Sequence, residues 1–171
     1  MREDLKDKVV IITGGTSGIG EGCVRYLASQ GAKVVFCARS ADKGIAIEKE
    51  LIKQGYSANY IKADVTEPQA NKHVVDKTIK LYGHIDAILA NAGGGVGHKV
   101  HEYAVEEWEN DYKLNYHAAF LLSKYSIPYM LKNDGGSIIF MGSATMTKPG
   151  PEQGHYGPAK AAMVNCRARS V

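Results

Sequence analysis

The sequence predicts an α/β fold: a doubly wound parallel sheet with helices on both faces, formed as one domain. Three observations carry that expectation. Short β-branched runs alternate with helix-length amphipathic segments along the chain, the pattern of strands joined by helical crossovers. The runs are continuously apolar, as strands buried on both faces are. A glycine cluster follows the first run, where a strand must turn tightly into a helix.

In chain order, "KVVIIT" (Lys8–Thr13) is the first strand, and a helix over Gly20–Gln30 follows with Val24, Leu27 and Ala28 at helical spacing. "KVVFCA" (Lys33–Ala38) is the second strand. The helix after it, Ala41–Gln54, places Ile45, Ile47, Leu51 and Ile52 at helical spacing. "ANYIKA" (Ala58–Ala63) is the third strand. Pro68–Tyr82 is a helix, with Val74, Val75, Ile79 and Leu81 as its apolar positions and Glu67 as an acidic start. "IDAILA" (Ile85–Ala90) is the fourth strand. Glu106–Lys132 reads as one longer helix, kinked near its end by Pro128. "SIIFMG" (Ser137–Gly142) is the fifth strand, and a last helix carries Tyr156 and Lys160. No linker, internal repeat or low-complexity tract divides residues 1–171.

Bulk properties narrow the partners. Hydrophobic residues make up 44% and charged residues 23% of the chain, values of a globular domain and not of a disordered one. A net charge of +3 without a Lys/Arg block excludes nucleic acid as the expected partner. The start "MREDLKDK" lacks the apolar core of a signal peptide, and no run approaches the roughly 20 residues of a membrane span. Cys23, Cys37 and Cys166 show no metal-ligand spacing and read as free thiols in a reducing, cytoplasmic setting.

The chemistry-bearing stretches lie where strands meet helices. In "ITGGTSGIG", Gly14, Gly18 and Gly20 form a G-x-x-x-G-x-G variant of the dinucleotide fingerprint, so the sheet is expected to be Rossmann-like. Bare backbone lets a pyrophosphate approach, and the following helix N-terminus offers N–H groups and a positive dipole end. At the end of the second strand an acid would read the ribose 2′-hydroxyl of NAD; Ala38 and Arg39 stand there instead. Arg39 suits a 2′-phosphate, with Ser40 or Ser17 as further donors, so NADP is expected before NAD. A solvated arginine at a helix start is the plainer alternative. Asp64 reads either as an adenine contact or as a cap for the helix beginning near Thr66–Glu67. "NAGGG" (Asn91–Gly95) ends the fourth strand at the edge where open α/β sheets bind ligands.

Together these segments resemble the short-chain dehydrogenase/reductase family. The resemblance runs from about Lys6 to the end, through "TGGTSGIG" (Thr13–Gly20), "DV" (Asp64–Val65), "NAG" (Asn91–Gly93), Asn115, "GS" (Gly142–Ser143) and "YGPAK" (Tyr156–Lys160). It implies a catalytic tetrad of Asn115, Ser143, Tyr156 and Lys160. It implies a cofactor site in which Thr16, Ser17 and Ile19 join the loop glycines, Val65 joins Asp64, and Ala92 and Gly93 join Asn91. Tyr156 and Lys160 face the same site in that reading. It further implies that Asn91 holds the cofactor-side backbone and that Asn115 anchors a water linking Lys160 to solvent.

The chemistry is consistent on its own terms. Tyrosine, with a pKa near 10, is a poor base at neutral pH; lowering it by about two to three units takes roughly 3–4 kcal/mol. Lys160, four residues on along one helix face, is placed to contribute part of that. Ser143 can polarise a carbonyl oxygen. Read singly, Tyr156 is a half-buried aromatic, Lys160 a solvated helix residue, Ser143 a turn residue and Asn115 a polar helix residue; the joint pattern favours the tetrad. No third ligand accompanies the histidines for a metal. His98, His101 and His155 read as loop or pocket-rim residues, with His155 able to touch substrate.

The expected reaction interconverts a carbonyl and a secondary alcohol, with 3-oxoacyl, steroid, sugar and small ketone substrates all open. The family also implies a sixth and a seventh strand and a substrate-covering segment, none of which follows Val171. The sequence is therefore expected to be C-terminally truncated, its fifth strand an open edge. The alternative is a non-catalytic remnant that keeps nucleotide binding, or only the fold and a dimer surface. Retention of all four tetrad residues favours the enzyme. A homodimer or homotetramer is expected, since relatives pair through the long helix and the tyrosine helix.

Overall fold

A computed structural model describes residues 2–148 and 150–166. Five parallel strands form one sheet: β1 (Val9–Thr13), β2 (Lys33–Ala38), β3 (Ala58–Lys62), β4 (Ala87–Ala90) and β5 (Ser137–Phe140), in the order β3-β2-β1-β4-β5. Six α-helices accompany them: α1 (Gly18–Ser29), α2 (Ala41–Lys53), α3 (Pro68–Tyr82), α4 (Val105–Tyr112), α5 (Ala118–Leu131) and α6 (Tyr156–Asn165). The expected doubly wound α/β architecture is present. Any continuation of α6 through 167–171 lies outside the described residues.

Alternation along the central strands builds two cores. Val10, Ile12, Val34 and Phe36 pack under Val24 and Ala28 of α1 and Ile47 and Leu51 of α2. Ile11, Val35 and Cys37 point the other way, against Val74 and Val75 of α3, Leu122 and Met130 of α5 and Met163 of α6. Every residue of β1 is buried, because β1 has strands on both sides and helices on both faces. Burial pushes the Cys37 thiol up to about 12, so it packs as a hydrophobe. Cys23, Cys37 and Cys166 are free, and no helix among the described residues is long and apolar enough to cross a membrane. Among the described residues β5 pairs only with β4, and Ile139 is 52% exposed.

One element departs from expectation. The helix anticipated over 106–132 is broken at Lys113–His117, where the N–H of Ala118 bonds five residues back to the Lys113 carbonyl in a π-helical turn. Pro128 is accommodated inside α5, which runs on to Leu131. Apolar periodicity continues across a π turn with a shift of one residue, so it gave no warning of the break. The extra residue reorients Asn115.

At the opposite edge of the sheet from the glycine loop, Asp86 ties the strand starts together. Its carboxylate accepts the Val9 N–H at 2.8 Å and the Lys8 ammonium at 2.9 Å, while its backbone bonds Val9 and Ser137. Burial alone would raise this carboxyl, but those donors hold it below the usual range. Its stabilisation is therefore present above the unfolded-state value and lost as pH falls through the lowered folded value. Asp86→Ala is expected to cost about 1–3 kcal/mol at neutral pH, because the Val9 N–H loses its partner. Urea denaturation checks this, and the difference from wild type should shrink on acidification.

Candidate active site at the carboxyl edge of the sheet

Strands β1 and β4 are neighbours, yet the chain leaves them toward opposite faces, β1 into α1 and β4 toward α5. A crevice opens where they part, at the topological switch point of the sheet. Its floor is stapled. The Thr13 hydroxyl accepts the N–H groups of Asn91 and Ala92, each at 3.1 Å, and the Asn91 amide donates to the Thr13 and Gly14 carbonyls at 3.0 and 3.3 Å.

The glycine loop crosses this staple with no room for side chains at Gly14, Gly15 or Gly20. Gly14 has φ +67, and a Cβ on Gly20 would lie 2.2 Å from the Gly14 carbonyl oxygen. Ser17 is extended just before α1 and makes no capping bond, which leaves the first amides of α1 free to meet an anion. A cavity of about 720 Å³ opens above. Gly14, Thr16, Ser17 and Ile19 form one wall, Asp64 and Val65 another, and Asn91, Ala92 and Gly93 a third. Arg39 and Ser40 line its far end, and Tyr156 and Lys160 the near end. The bare loop, free helix amides and basic end fit a phosphorylated dinucleotide. Gly18 and Gly20 shape the loop without lining the cavity.

The structure separates the two roles that its sequence context allowed for Asp64. Asp64 lines the cavity, and its Oδ1 accepts the Thr66 N–H at 3.0 Å and the Thr66 hydroxyl at 2.7 Å. Burial works to raise its carboxyl, but the two Thr66 bonds and the Arg39 charge hold it below the usual range. The N-cap of α3 itself is Glu67, so Asp64 closes the turn ahead of the helix rather than capping it.

Tyr156 is the first residue of α6 and Lys160 follows one turn later, its ammonium 5.5 Å from the phenol ring centroid. Lys160 is 1% exposed, and Nζ donates to a carbonyl, that of Met141, at 3.0 Å. Burial without a carboxylate lowers its pKa. Gly93 is wedged beside it: a Cβ there would meet Lys160 Nζ at 2.9 Å and Asn115 Oδ1 at 2.8 Å. Asn115, buried in the π turn, clasps the next residue, accepting the Gly94 N–H at 2.9 Å and donating to the Gly94 carbonyl at 2.6 Å. Its amide also donates to the Asp111 carbonyl at 2.9 Å. Ser143 lies two residues past the cavity-lining Met141. Its oxygen accepts from the Thr145 N–H at 3.3 Å and the Thr145 hydroxyl at 3.0 Å, leaving its own proton free.

Tyr156 and Lys160 thus share one cavity with the glycine loop, while Asn115 and Ser143 stand behind and beside it. His155 is not a rim residue: it is 2% exposed, buried under the loop that follows β4. His98 and His101 do lie toward the surface. Among the described residues no group of three His, Cys, Asp or Glu side chains could hold a metal. Lys43, on the first turn of α2 and four residues after Arg39, also lines the cavity. Sequence reading passed over it, although a basic residue in the helix turn that follows the Arg39 strand end is the signal that finds it. Thr13 was missed for a different reason, because its role depends on a strand 78 residues away.

A sequence model of the family described as short chain dehydrogenase matches residues 8–168. An uncharacterized oxidoreductase of Thermotoga maritima is 31% identical over 160 residues, 94% of this chain and 62% of that protein. A probable galactose dehydrogenase of Rhizobium meliloti is 30% identical over 162 residues, 94% of this chain and 63% of its own length. A solved variant of a Serratia marcescens short-chain dehydrogenase/reductase superposes with a TM-score of 0.89 at 31% identity, covering 95% of this chain and 66% of that one. The chain therefore spans slightly less than two thirds of the length of these three proteins.

A buried ammonium whose hydrogen-bond partner among the described residues is a carbonyl burdens the fold. Lys160→Met is expected to raise the unfolding free energy by about 1–3 kcal/mol at neutral pH. The gain should narrow as pH rises through the lowered Lys160 value toward that of free lysine, where the wild type no longer buries a charge. Thermal denaturation of both proteins across that range checks it.

Proposed function

The chain belongs to the short-chain dehydrogenase family, and we propose that it forms the cofactor-binding and proton-transfer part of an NADP(H)-dependent oxidoreductase that interconverts a carbonyl and a secondary alcohol. The observation that carries this reading is the sharing of one cavity by the glycine loop and the Tyr156–Lys160 pair.

A nicotinamide dinucleotide, when bound, supplies or accepts the hydride. The amides at the start of α1 and the backbone of Gly14 meet its phosphates. Arg39 and Lys43, with Ser40 between them, offer two cations and a hydroxyl to a 2′-phosphate, which favours NADP. In the reducing direction Tyr156 gives its proton to the nascent alkoxide, and in the oxidising direction it takes the alcohol proton. The Lys160 ammonium, held in low dielectric by burial, favours the phenolate and so eases both steps. Ser143, whose oxygen is already satisfied by Thr145, donates its free proton to the substrate oxygen. Asn115 acts through Gly93 and Gly94, whose backbone it fixes against Lys160. Polyhydroxylated substrates gain weight from the sugar named for the Rhizobium meliloti relative. Oligomerisation through α4 and α5 is supported by partly exposed Trp108 and Phe120 on those helices.

Titration of the protein with NADPH, followed by nicotinamide fluorescence, is expected to show saturable binding; no binding of NADPH or NADH by folded protein would overturn the proposal. Arg39→Asp should weaken NADPH by about 10- to 100-fold while changing NADH little, the worth of a charge-assisted bond. Tyr156→Phe should abolish carbonyl reduction and leave the NADPH dissociation constant near that of wild type.

A further inference from the structure

The residue before Tyr156 anchors a buried polar cluster that hydride transfer does not use. His155 Nδ1 meets the hydroxyl of Tyr103, on the loop between β4 and α4. Its Nε2 lies 3.2 Å from Oδ2 of Asp111 on α4, without a well-directed hydrogen bond. The same loop packs onto the pair at Gly95, where a Cβ would fall 2.5 Å from Nε2 and 2.9 Å from the Asp111 oxygen. Near its start the loop carries Gly93 and Gly94, which line the cavity. Tyr156 heads α6 with no side-chain cap ahead of it, in the position where a helix frays most easily. Across the joint between loop and helix stands the His155 ring.

Counting protons shows what this cluster needs. The Tyr103 hydroxyl donates to the Val96 carbonyl at 3.0 Å and accepts the His98 N–H at 3.2 Å. With its one proton so used, it can bond His155 only if Nδ1 carries a proton. Nε2 then faces a carboxylate, and that contact is attractive only with one more proton in the His155–Asp111 pair. Burial already holds the Asp111 carboxyl above its usual range, against the pull of His155. If the pair loses that proton, either Nε2 repels Asp111 or Tyr103 turns its proton to His155 and releases Val96. The other titratable groups facing the cluster are His98, edge-on to the Tyr103 ring at 5.1 Å, Glu107, bonded to His98 at 3.2 Å, Glu152 near Tyr103, and the Tyr156 ring at 6.3 Å.

We propose that His155 is a positioning residue, which with Asp111 and Tyr103 forms a proton-dependent clamp fastening the loop after β4 to the first turn of α6 and so holding Tyr156 in place. The consequence for Tyr156 rests on the function proposed above; the clamp itself does not.

Hydrogen exchange on the cofactor-free protein, corrected for intrinsic rates between about pH 5 and 9, tests it. In wild type, protection of the Gly94 and His98 amides and of amides 157 and 159–161 should fall by about tenfold or more as the pair deprotonates, while β1 amides stay protected. His155→Gln, which cannot titrate, and Asp111→Asn should each remove that pH dependence. Protection independent of pH in wild type, or the same fall in either variant whose β1 amides remain protected, would overturn the clamp. With NADPH and a reducible ketone, His155→Gln should lower kcat and flatten its pH profile without changing the NADPH dissociation constant. The exchange result decides the clamp even if the wild type binds no dinucleotide, so the two proposals fail separately.

Discussion

The site depends on the staple between Thr13 and Asn91. Two strands that part toward opposite faces leave unpaired backbone groups at their ends, and buried groups of that kind must find partners. Here one threonine hydroxyl and one asparagine amide bond four backbone groups across the gap, of which the Asn91 N–H is shared with the Leu89 carbonyl. The crevice therefore stays open without exposing orphan donors, and the glycine loop can pass close above it. A side chain on Gly20 would strike the Gly14 carbonyl, so the loop is bare for packing reasons before any ligand is considered. That bareness is also what a pyrophosphate requires.

A second constraint runs from the π turn. Inserting one residue between α4 and α5 brings Asn115 to a glycine backbone it would otherwise miss, and its amide closes two bonds with Gly94. Gly93 is then pressed between Asn115 and Lys160. The lysine is held in the dry interior by a carbonyl alone, an arrangement that lowers its pKa and weakens the fold. Its aromatic neighbour is Tyr156, with the ring centroid 5.5 Å from the ammonium, and in the function proposed above that cation favours the phenolate. The departure from regular helix and the unpaired buried charge thus serve one end of one cavity.

Much of this was legible from residue order. Strand runs and helix periods were readable because burial on two faces and on one face leave different patterns, and every observed strand falls within its expected run. The positions of the glycine loop, Arg39, Asn91 and the Tyr156–Lys160 pair along the cavity were readable because a strand end or one helix face sets each of them. The π turn was not, since apolar spacing tolerates a single added residue. Lys43 was passed over as ordinary helix surface.

The sequence by itself determined the order of elements, the two faces of each strand and the residue types at the carboxyl edge, because these follow from short-range sterics and hydrophobic alternation. Only the tertiary structure decided which distant groups meet. Thr13 finds Asn91 because β1 and β4 become neighbours. Asn115 finds Gly94 because a helix slips by one residue. His155, which reads as a pocket-rim residue, lies buried against Tyr103 and Asp111 because the loop after β4 folds over it. Such pairings join chain segments tens of residues apart, and their energy exists only once the sheet has brought those segments together.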